Sequence, residues 1–255
     1  MFAPFIAAIR FLTILPIPGK LGSDAESLST SLPFFPVVGL MIGGISALLT
    51  LGLGQLFPLP VTAVGIVIIL LMVSGGLHMD GLADTADGFF SSRPRERILE
   101  IMRDSHVGAM GVMAIVLTLA LKIAALACYT NTNIWVPALL MPLAGRVVLV
   151  LLTAFMPYAR GEGLASPFYQ GPAKLAATWG IVFFTAVAWW LAGAAGMFVV
   201  VGIILFTLLF ALYCHNKIGG VTGDTLGAAC ELAETLTVLL LIPQPVYRLL
   251  EGIVG

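Results

Sequence analysis

The chain has 255 residues, of which 60% are hydrophobic and only 10% are charged. Because about 25% of residues are charged in ordinary soluble domains, this composition excludes a soluble globular protein and indicates a chain that lies mostly in lipid. The formal net charge of -1 gives no general attraction to nucleic acid, which we exclude as a partner, so any anion must be bound by a local cluster of charges.

The first element is an apolar stretch over residues 1–17 with Arg10 in its middle. Pro16 lies near its end, and Pro18 follows just beyond it. It lacks the charged-then-apolar order and the small-residue site of a cleavable signal peptide. We therefore expect it to remain as a short interfacial helix.

Seven apolar runs follow, and they predict membrane spans at about 33–57, 60–79, 108–129, 134–156, 176–194, 196–214 and 225–243. Residues 27–79 and 175–216 contain no Asp, Glu, Lys or Arg, and each stretch is long enough for two crossings. The three cysteines are odd in number and widely spaced in apolar sequence, so we interpret them as packing residues. The sequence predicts one all-α domain over residues 1–255, a polytopic transmembrane helical bundle.

The charged residues are concentrated in alternate connections between these spans. The connections after the first, third and fifth spans are short and uncharged, whereas the others hold nearly all of the lysines and arginines. Since cytoplasmic loops carry the Lys and Arg excess, we predict a multi-pass protein of the bacterial inner membrane whose charged end faces the cytoplasm. Residues 91–104 have one charged and one apolar face, which predicts a helix along the membrane surface.

An acidic segment, residues 75–88, ends the second predicted span and places Asp80, Asp84 and Asp87 at i, i+4 and i+7. On one helix this spacing stacks three carboxylates on one face within about 10 Å, where they repel each other unless a cation intervenes. Mg²⁺ takes oxygen ligands and bridges carboxylates to phosphates, so we predict all three as metal ligands at a cytoplasmic active site. Asp84, Asp87 and the neighbouring His78, a candidate proton carrier, are predicted as catalytic. The alternative for the three aspartates is that they are ordinary surface charges at a solvated helix end. The alternative for His78 is that it is a polar residue at the helix end whose hydrogen bonds are satisfied locally.

A second acidic segment, residues 219–234, contains Asp224 and Glu231 seven residues apart on one predicted helical face. These two acids are predicted as ligands of a second metal ion or, alternatively, as residues that orient a substrate. Thr222 is positioned to cap the helix, and the glycine-rich entry at Gly223 exposes backbone N–H groups to an anion. Both are predicted as substrate-binding residues.

Several further polar residues have two interpretations each. Asp104, before the third span, either contributes to metal or substrate binding or caps the helix that follows. Arg103 and Lys217 either bind a substrate phosphate or belong to the ordinary positive charge of cytoplasmic loops. Arg146, in the middle of the fourth span, requires an internal partner such as one of the acids. Lys122 is expected to extend its amine towards the membrane surface.

At residues 75–88, 103–111 and 219–234 the sequence resembles the cobalamin synthases, also called adenosylcobinamide-GDP ribazoletransferases. The segments 10–16, with Arg10 as a substrate-binding candidate, and 160–164 are similar too, so the likeness covers nearly the whole chain. The resemblance implies a magnesium-dependent membrane enzyme that joins adenosylcobinamide-GDP to alpha-ribazole, or its 5'-phosphate, and releases GMP. One of the three aspartates would accept the proton of the ribazole 5'-hydroxyl. The resemblance leaves open whether the enzyme is a homo-oligomer.

Two other classes of membrane protein fit part of the pattern. An ion-coupled transporter also uses membrane-embedded acids, but here the aspartates lie at a span end and the two halves of the chain show no inverted repeat. A phosphotransferase of the CDP-alcohol type also combines aspartates with a metal. Its usual Asp-Gly-x-x-Ala-Arg opening is absent at Asp80, where Leu82, Ala83 and Asp84 follow Gly81.

Overall fold

The computed structural model describes residues 2–242, which form ten α-helices and two short 3-10 helices. Within this range the β structure is limited to an isolated bridge between Tyr158 and Val221, so the predicted all-α class is confirmed. The α-helices are α1 (Phe2–Leu12), α2 (Ala25–Ser29), α3 (Phe35–Leu56), α4 (Leu59–Ser74), α5 (Leu77–Phe89), α6 (Arg95–Ile101), α7 (Ala109–Leu126), α8 (Trp135–Phe155), α9 (Ala173–Ile218) and α10 (Gly223–Leu241), and the 3-10 helices are Leu32–Phe34 and Ser166–Gln170.

The apolar helices have the character of membrane spans. By length and composition α3, α7, α8 and α9 qualify, and α4 with α5 forms a fifth candidate if this bent pair is counted as one span. The side chains that they expose are apolar, as at Leu48, Leu117 and Leu208. The seven predicted spans fall on α3, α4, α7, α8, the two halves of α9 and α10, and residue 243 of the last lies outside the described range.

The 46 residues of α9 reverse direction in their middle. Gly193 has φ 53° and ψ -128°, which is not helical. A Cβ on Gly196 would collide with the carbonyl oxygen of Ala188, although residues eight apart in a straight helix are separated by about 12 Å. The chain therefore folds back here, as the predicted tight connection between the fifth and sixth spans required.

The centre of the bundle is α8, which packs against α3, α9 and α10 and buries most of its side chains. Two glycines one turn apart on α3, Gly39 and Gly43, face the α8 backbone. A Cβ on Gly39 would lie 2.7 Å from the carbonyl oxygen of Pro142. Small residues at this spacing let membrane helices approach closely, and here they bring α3 directly against the central helix.

The second predicted span does not continue into the acidic segment, which corrects the sequence-based boundary at residue 79. Instead α4 ends at Ser74, Gly75 and Gly76 have φ of 62° and 74°, and α5 leaves at an angle of 91°. Two consecutive left-handed residues interrupt a helix, and glycine adopts this conformation without a steric penalty. As a result α5 packs against α7 and α10.

The two short helices predicted at the membrane surface are present. The N-terminal helix α1 buries Ala7, Ala8, Ile9 and Leu12, and it packs against α2 and α3. The helix predicted within residues 91–104 is α6, which buries Ile98 against α5. Both helices therefore also serve as packing elements of the bundle.

The connections that are rich in Lys and Arg meet at one end of the bundle. This agrees with the prediction that all of them lie on one side of the membrane. Three hydrogen bonds join connections that are far apart in sequence, each from a basic side chain to a backbone carbonyl: Arg95 Nη2 to Ala159 (3.4 Å), Arg160 Nη2 to Met102 (3.4 Å) and Lys217 Nζ to Phe89 (2.9 Å). The acidic face of α5 lies at this same end.

Candidate active site

The loop after α8 is attached to the entry of α10 by a short parallel bridge. Val221 donates a backbone hydrogen bond to Pro157 (2.9 Å), and Ala159 donates one to Val221 (2.8 Å). Arg160 follows immediately, and its Nη2 lies 2.8 Å from Oδ2 of Asp224, with 10% and 22% of the two side chains exposed. The bridge therefore fixes a shielded ion pair at the start of α10.

The start of α10 is a capping box, as predicted for Thr222. Thr225 donates its backbone N–H to Oγ1 of Thr222 (3.2 Å), and Thr222 donates its own to Oγ1 of Thr225 (2.8 Å). The hydroxyl of Thr222 also lies 3.3 Å from Oδ2 of Asp224. The capping role of Thr222 is confirmed, whereas substrate binding by Thr222 and Gly223 stays a prediction.

Glycines bring α5 and α10 into close contact. A Cβ on Gly81 would lie 2.7 Å from the carbonyl oxygen of Asp224, and one on Gly227 would lie 3.1 Å from the carbonyl oxygen of His78. The space left by the absent side chain of Gly81 is filled by α10, and as a result Asp224 joins the acids of α5.

Asp80 and Asp84 lie one turn apart on α5, and within residues 2–242 neither carboxylate forms an ion pair, in contrast to Asp224. Asp84 is close enough to Asp80, Asp87 and Asp224 to be repelled by all three, and it is attracted by Arg160. Asp80, Asp84 and Asp224, together with Arg160, are called the acidic site below. Three carboxylates and one guanidinium leave a formal excess of two negative charges, which a divalent cation would balance.

Asp87 is placed differently from the other two aspartates of α5. Its Oδ2 accepts the backbone N–H of Gly108 (2.7 Å), and its Oδ1 accepts that of Gly111 (2.9 Å). These donors belong to the first turn of α7 and its entry, where a carboxylate is favoured by unpaired N–H groups and by the helix dipole. Asp87 thus caps α7 from another helix, while its predicted metal-binding and catalytic roles stay predictions.

Asp104 does not cap α7, so that interpretation is wrong. Its exposed carboxylate accepts the backbone N–H of His106 (3.0 Å) and lies 2.7 Å from Nδ1 of the same residue. These hydrogen bonds hold the pKa of Asp104 below its ordinary value. Asp104 shares a surface depression with Asp87, apart from the cavity described below, and its predicted substrate contact stays a prediction.

A second charged cluster lies inside the bundle and consists of Lys122, Arg146, Glu231 and Glu234, called the buried ion group below. Lys122 Nζ lies 2.7 Å from Oε2 of Glu231 and 3.0 Å from Oε2 of Glu234, and Arg146 pairs with Glu234. All four side chains are at most 5% exposed. The expected internal partner of Arg146 is therefore Glu234, and the expectation that Lys122 extends to the surface is wrong.

Glu231 therefore belongs to the buried ion group and not to the acidic site. Asp224 and Glu231 lie on one helix, but Asp224 pairs with Arg160 and Glu231 pairs with Lys122. The ammonium group of Lys122 already neutralises the carboxylate of Glu231. The structure thus does not bring Glu231 together with the other predicted metal ligands.

Two of the predicted substrate-binding cations are engaged by backbone carbonyls. Arg10 donates to Ile17 (2.9 Å), Gly19 (2.6 Å) and Leu21 (3.2 Å), which holds the loop after α1. Lys217 donates to the end of α5, as described above. Arg103 is exposed at the surface. The structure does not place any of these three side chains in the acidic site.

A cavity of about 130 Å³ opens beside the acidic site and includes two of its carboxylates and its arginine. The lining also contains Gly223 and the buried His78. The other lining residues are mostly apolar: Phe11, Phe35, Leu77, Gly81, Leu149, Thr153, Tyr158, Leu164, Ala165, Phe168, Leu226 and Gly227.

Arg160 and the aromatic lining of the cavity were not among the predicted site residues. Arg160 lies in a loop that resembled the family, and this was the one signal that favoured it. The rings of Phe11, Phe35 and Phe168 come from three distant segments of an apolar sequence rich in phenylalanine. No periodicity marks such residues, because only the fold brings them together.

The donor set fits Mg²⁺ that is held partly by substrate. Within residues 2–242 no three His, Cys, Asp or Glu side chains form a ready metal site. Mg²⁺ commonly uses one or two carboxylates and completes its shell with water and substrate phosphates. Asp84 and the free Oδ1 of Asp224 can supply two carboxylate ligands. The excess negative charge of the site would be balanced by a divalent cation.

Comparison with known proteins places these residues in a family context. The family described as "Cobalamin-5-phosphate synthase" matches residues 4–242. A Geotalea daltonii protein is 39% identical over 242 residues, which cover 95% of this chain and 98% of the relative. A Roseiflexus sp. protein is 40% identical over 252 residues, which cover 98% and 92% respectively. Both relatives bear the name adenosylcobinamide-GDP ribazoletransferase, and no solved structure matches the chain.

Proposed function

The chain belongs to the cobalamin-5-phosphate synthase family and is a transferase of cobalamin biosynthesis, and we propose that it joins adenosylcobinamide-GDP to alpha-ribazole or its 5'-phosphate. GMP is the second product of this reaction. The observation that supports the proposal is the uncompensated negative charge of the acidic site, located at a cavity of the size of a small ring system. Membership of this particular family weighs against both the transporter and the CDP-alcohol phosphotransferase.

We propose Mg²⁺ as the cofactor, held by Asp84 and Asp224. When bound, it would supply charge neutralisation for the diphosphate of the nucleotide-linked substrate. Arg160 lies 2.8 Å from Asp224 and is directed into the same cavity lining, so its guanidinium is available to the diphosphate oxygens as well. The diphosphate is thereby oriented for attack.

Asp80 is the proton acceptor in this scheme. It lines the cavity and has no ion-pair partner within the described chain, whereas Asp224 is engaged by Arg160 and Asp87 by α7. A ribose hydroxyl oxygen of ribazole attacks the phosphorus that is linked to cobinamide, the bond from this phosphorus to the GMP oxygen breaks, and the hydroxyl proton passes to Asp80. The attacking group is not the 5'-hydroxyl that we expected from the resemblance, because the 5' oxygen is esterified when the 5'-phosphate is the substrate.

The charged end of the bundle is proposed to face the cytoplasm of a bacterial cell. Connections rich in Lys and Arg are retained on the cytoplasmic side of inner-membrane proteins. The hydrogen bonds of Arg95, Arg160 and Lys217 show that these connections and the acidic site share one end of the bundle. On this orientation, water-soluble substrates reach the site from the cytoplasm.

The decisive experiment uses the purified full-length protein in lipid nanodiscs, supplied with adenosylcobinamide-GDP and alpha-ribazole. GMP and the corrinoid product are separated by chromatography, with Mg²⁺ present or removed by EDTA. The proposal expects both products in equal amounts and only with Mg²⁺. Absence of GMP with Mg²⁺ and both substrates would refute the assigned reaction, and undiminished turnover in EDTA would refute the cofactor.

A further inference from the structure

The cavity beside the acidic site has a continuous aromatic wall. The ring centroid of Phe168 lies 4.8 Å from that of Phe11 and 5.2 Å from that of Phe35, both in edge-to-face arrangement. Phe11 and Phe35 are 5.9 Å apart and nearly parallel. The three rings come from the 3-10 helix at 166–170, α1 and α3, so one wall of the cavity is assembled from three separate segments.

The volume and the lining of the cavity define the class of group that it holds. An apolar cavity of about 150 Å³ is known to accommodate benzene, so the cavity of about 130 Å³ admits one six-membered ring of a planar base, with the rest of the base at its opening, and is far too small for a corrinoid. Leu77, Leu149 and Leu226 add aliphatic surface to the aromatic wall. Such surroundings favour an apolar, planar ring, because aromatic rings pack well edge-to-face and in offset stacks.

Guanine is a poor occupant of such a surface. Its edge carries several donors and acceptors that require hydrogen-bond partners when they are buried, and the phenylalanine and leucine side chains of the wall supply none. The charged groups of the lining, Asp80, Asp224 and Arg160, are assigned above to the reacting hydroxyl, the metal ion and the diphosphate. The base of alpha-ribazole is a benzimidazole, which is apolar apart from one free ring nitrogen. The apolar wall of the cavity therefore favours the benzimidazole over guanine.

We propose that this cavity binds the benzimidazole base of the ribazole substrate, an inference that rests on the proposed function and assigns a subsite to it. With the base against Phe11, Phe35 and Phe168, the ribose lies towards the polar part of the lining. Asp80 belongs to that part, which is where the proposed reaction requires the attacking ribose hydroxyl.

His78 provides a polar partner for the ring nitrogen. It lines the cavity, is 3% exposed, and its Nδ1 has no hydrogen-bond partner within residues 2–242. A neutral imidazole carries one donor and one acceptor, and the donor satisfies a ring nitrogen that accepts. His78 then acts as a positioning residue for the base, a role distinct from the proton carrier predicted from the sequence.

The first test uses the free base 5,6-dimethylbenzimidazole as the probe, with the full-length protein in nanodiscs. We expect it to inhibit competitively against alpha-ribazole and non-competitively against adenosylcobinamide-GDP. Equilibrium dialysis of the radiolabelled base measures the same binding without turnover. A failure of the proposed reaction is thus seen as missing GMP in the wild type, whereas a failure of the subsite is seen as missing base binding.

The second test compares two buried phenylalanines that differ in position. Phe168→Leu removes part of the aromatic wall, and Phe184→Leu makes the same change at an equally buried ring of α9 outside the cavity. We expect Phe168→Leu to raise the KM for alpha-ribazole about tenfold, while the KM for adenosylcobinamide-GDP changes less than about twofold. Phe184→Leu should leave both constants unchanged.

A third variant keeps the test valid if Phe168→Leu fails to fold. Leu164 lines the cavity but is 72% exposed, so Leu164→Ala removes a contact with little cost in packing. It should raise only the KM for alpha-ribazole, by about threefold. The subsite is refuted if the free base does not bind, if it competes with adenosylcobinamide-GDP instead, or if the folded cavity variants behave like Phe184→Leu.

Discussion

The acidic site and the buried ion group contain the same kinds of residue but differ in how their charges are balanced. In the buried ion group two carboxylates meet two cations, and the side chains are at most 5% exposed. In the acidic site three carboxylates meet Arg160 alone, and Asp80 and Asp84 form no ion pair within residues 2–242. The first cluster is electrically complete, whereas the second leaves two negative charges for an external cation.

This difference separates stability from function. Removing one partner of a buried pair leaves an uncompensated charge in a medium of low polarity, which is strongly destabilising. Removing one carboxylate from a group that repels itself has little such cost, but it removes a ligand or a proton acceptor. Variants in the two clusters should therefore affect different measurements, and the predictions below test that separation.

The largest effect is expected for Asp84→Asn in the acidic site. Turnover should fall at least about a thousandfold, equivalent to about 4 kcal/mol, because a ligand of the proposed cation is lost. The melting temperature should not fall, since one of four mutually repelling carboxylates is removed. GMP release and thermal unfolding in nanodiscs measure the two quantities, with the exposed Glu26→Gln as the control. Full activity of the folded variant would remove Asp84 from the mechanism.

The corresponding change in the buried ion group is Lys122→Met, which should destabilise the protein by about 3 kcal/mol. The reason is that Glu231 and Glu234 then share only Arg146. Turnover per folded molecule should stay within about threefold of the wild type. The double variant Lys122→Met/Glu231→Gln restores the balance of charge and should recover part of the loss. A double variant that is less stable than the single one would contradict this account.

Arg160→Gln should act in opposite directions on catalysis and on metal affinity. Loss of the guanidinium from the diphosphate should lower kcat/KM for adenosylcobinamide-GDP about a hundredfold, or about 2.7 kcal/mol. The site then has three carboxylates and no cation, so half-maximal activity should require less Mg²⁺. A magnesium titration of both proteins measures the shift, and Arg160→Lys serves as the charge-conserving comparison. A higher magnesium requirement in Arg160→Gln would contradict the proposed arrangement.

The smallest effect is expected for Asp87→Asn. Asparagine replaces one of the two acceptor oxygens by an NH₂ group, so only one of the N–H groups at Gly108 and Gly111 keeps its acceptor, and the protein should lose about 1 kcal/mol of stability. Activity should remain within about tenfold of the wild type, in contrast to Asp84→Asn. If Asp87→Asn were as inactive as Asp84→Asn while remaining folded, the sequence-based assignment of Asp87 as a metal ligand or catalytic residue would be favoured over the capping role.

Much of the helical framework could be predicted, because it depends on local properties of the sequence. The uncharged run at 175–216 could only be two spans, and the reversal at Gly193 lies in the predicted turn. The break between α4 and α5 was missed, because Gly75 and Gly76 lie in a continuous apolar run. Nothing in hydrophobic periodicity distinguishes two helical glycines from two left-handed ones.

The roles of the acids could be predicted only in part. The spacing of Asp80 and Asp84 indicated a shared face, and the glycine-rich entry marked Asp224 as a further candidate. Asp87 and Glu231 matched the same pattern, yet their partners are an α7 N-terminus and a lysine that lies 109 residues away in the chain. Spacing along one helix cannot reveal what faces it.

The sequence by itself determined the membrane environment, the helical class, the family and the set of candidate acids, because these follow from composition, periodicity and local motifs. The tertiary structure decided which acids are neutralised inside the protein and which remain available. It did so because ion pairs and caps depend on distances of a few ångströms between segments far apart in the chain, such as Lys122 with Glu231 and Arg160 with Asp224.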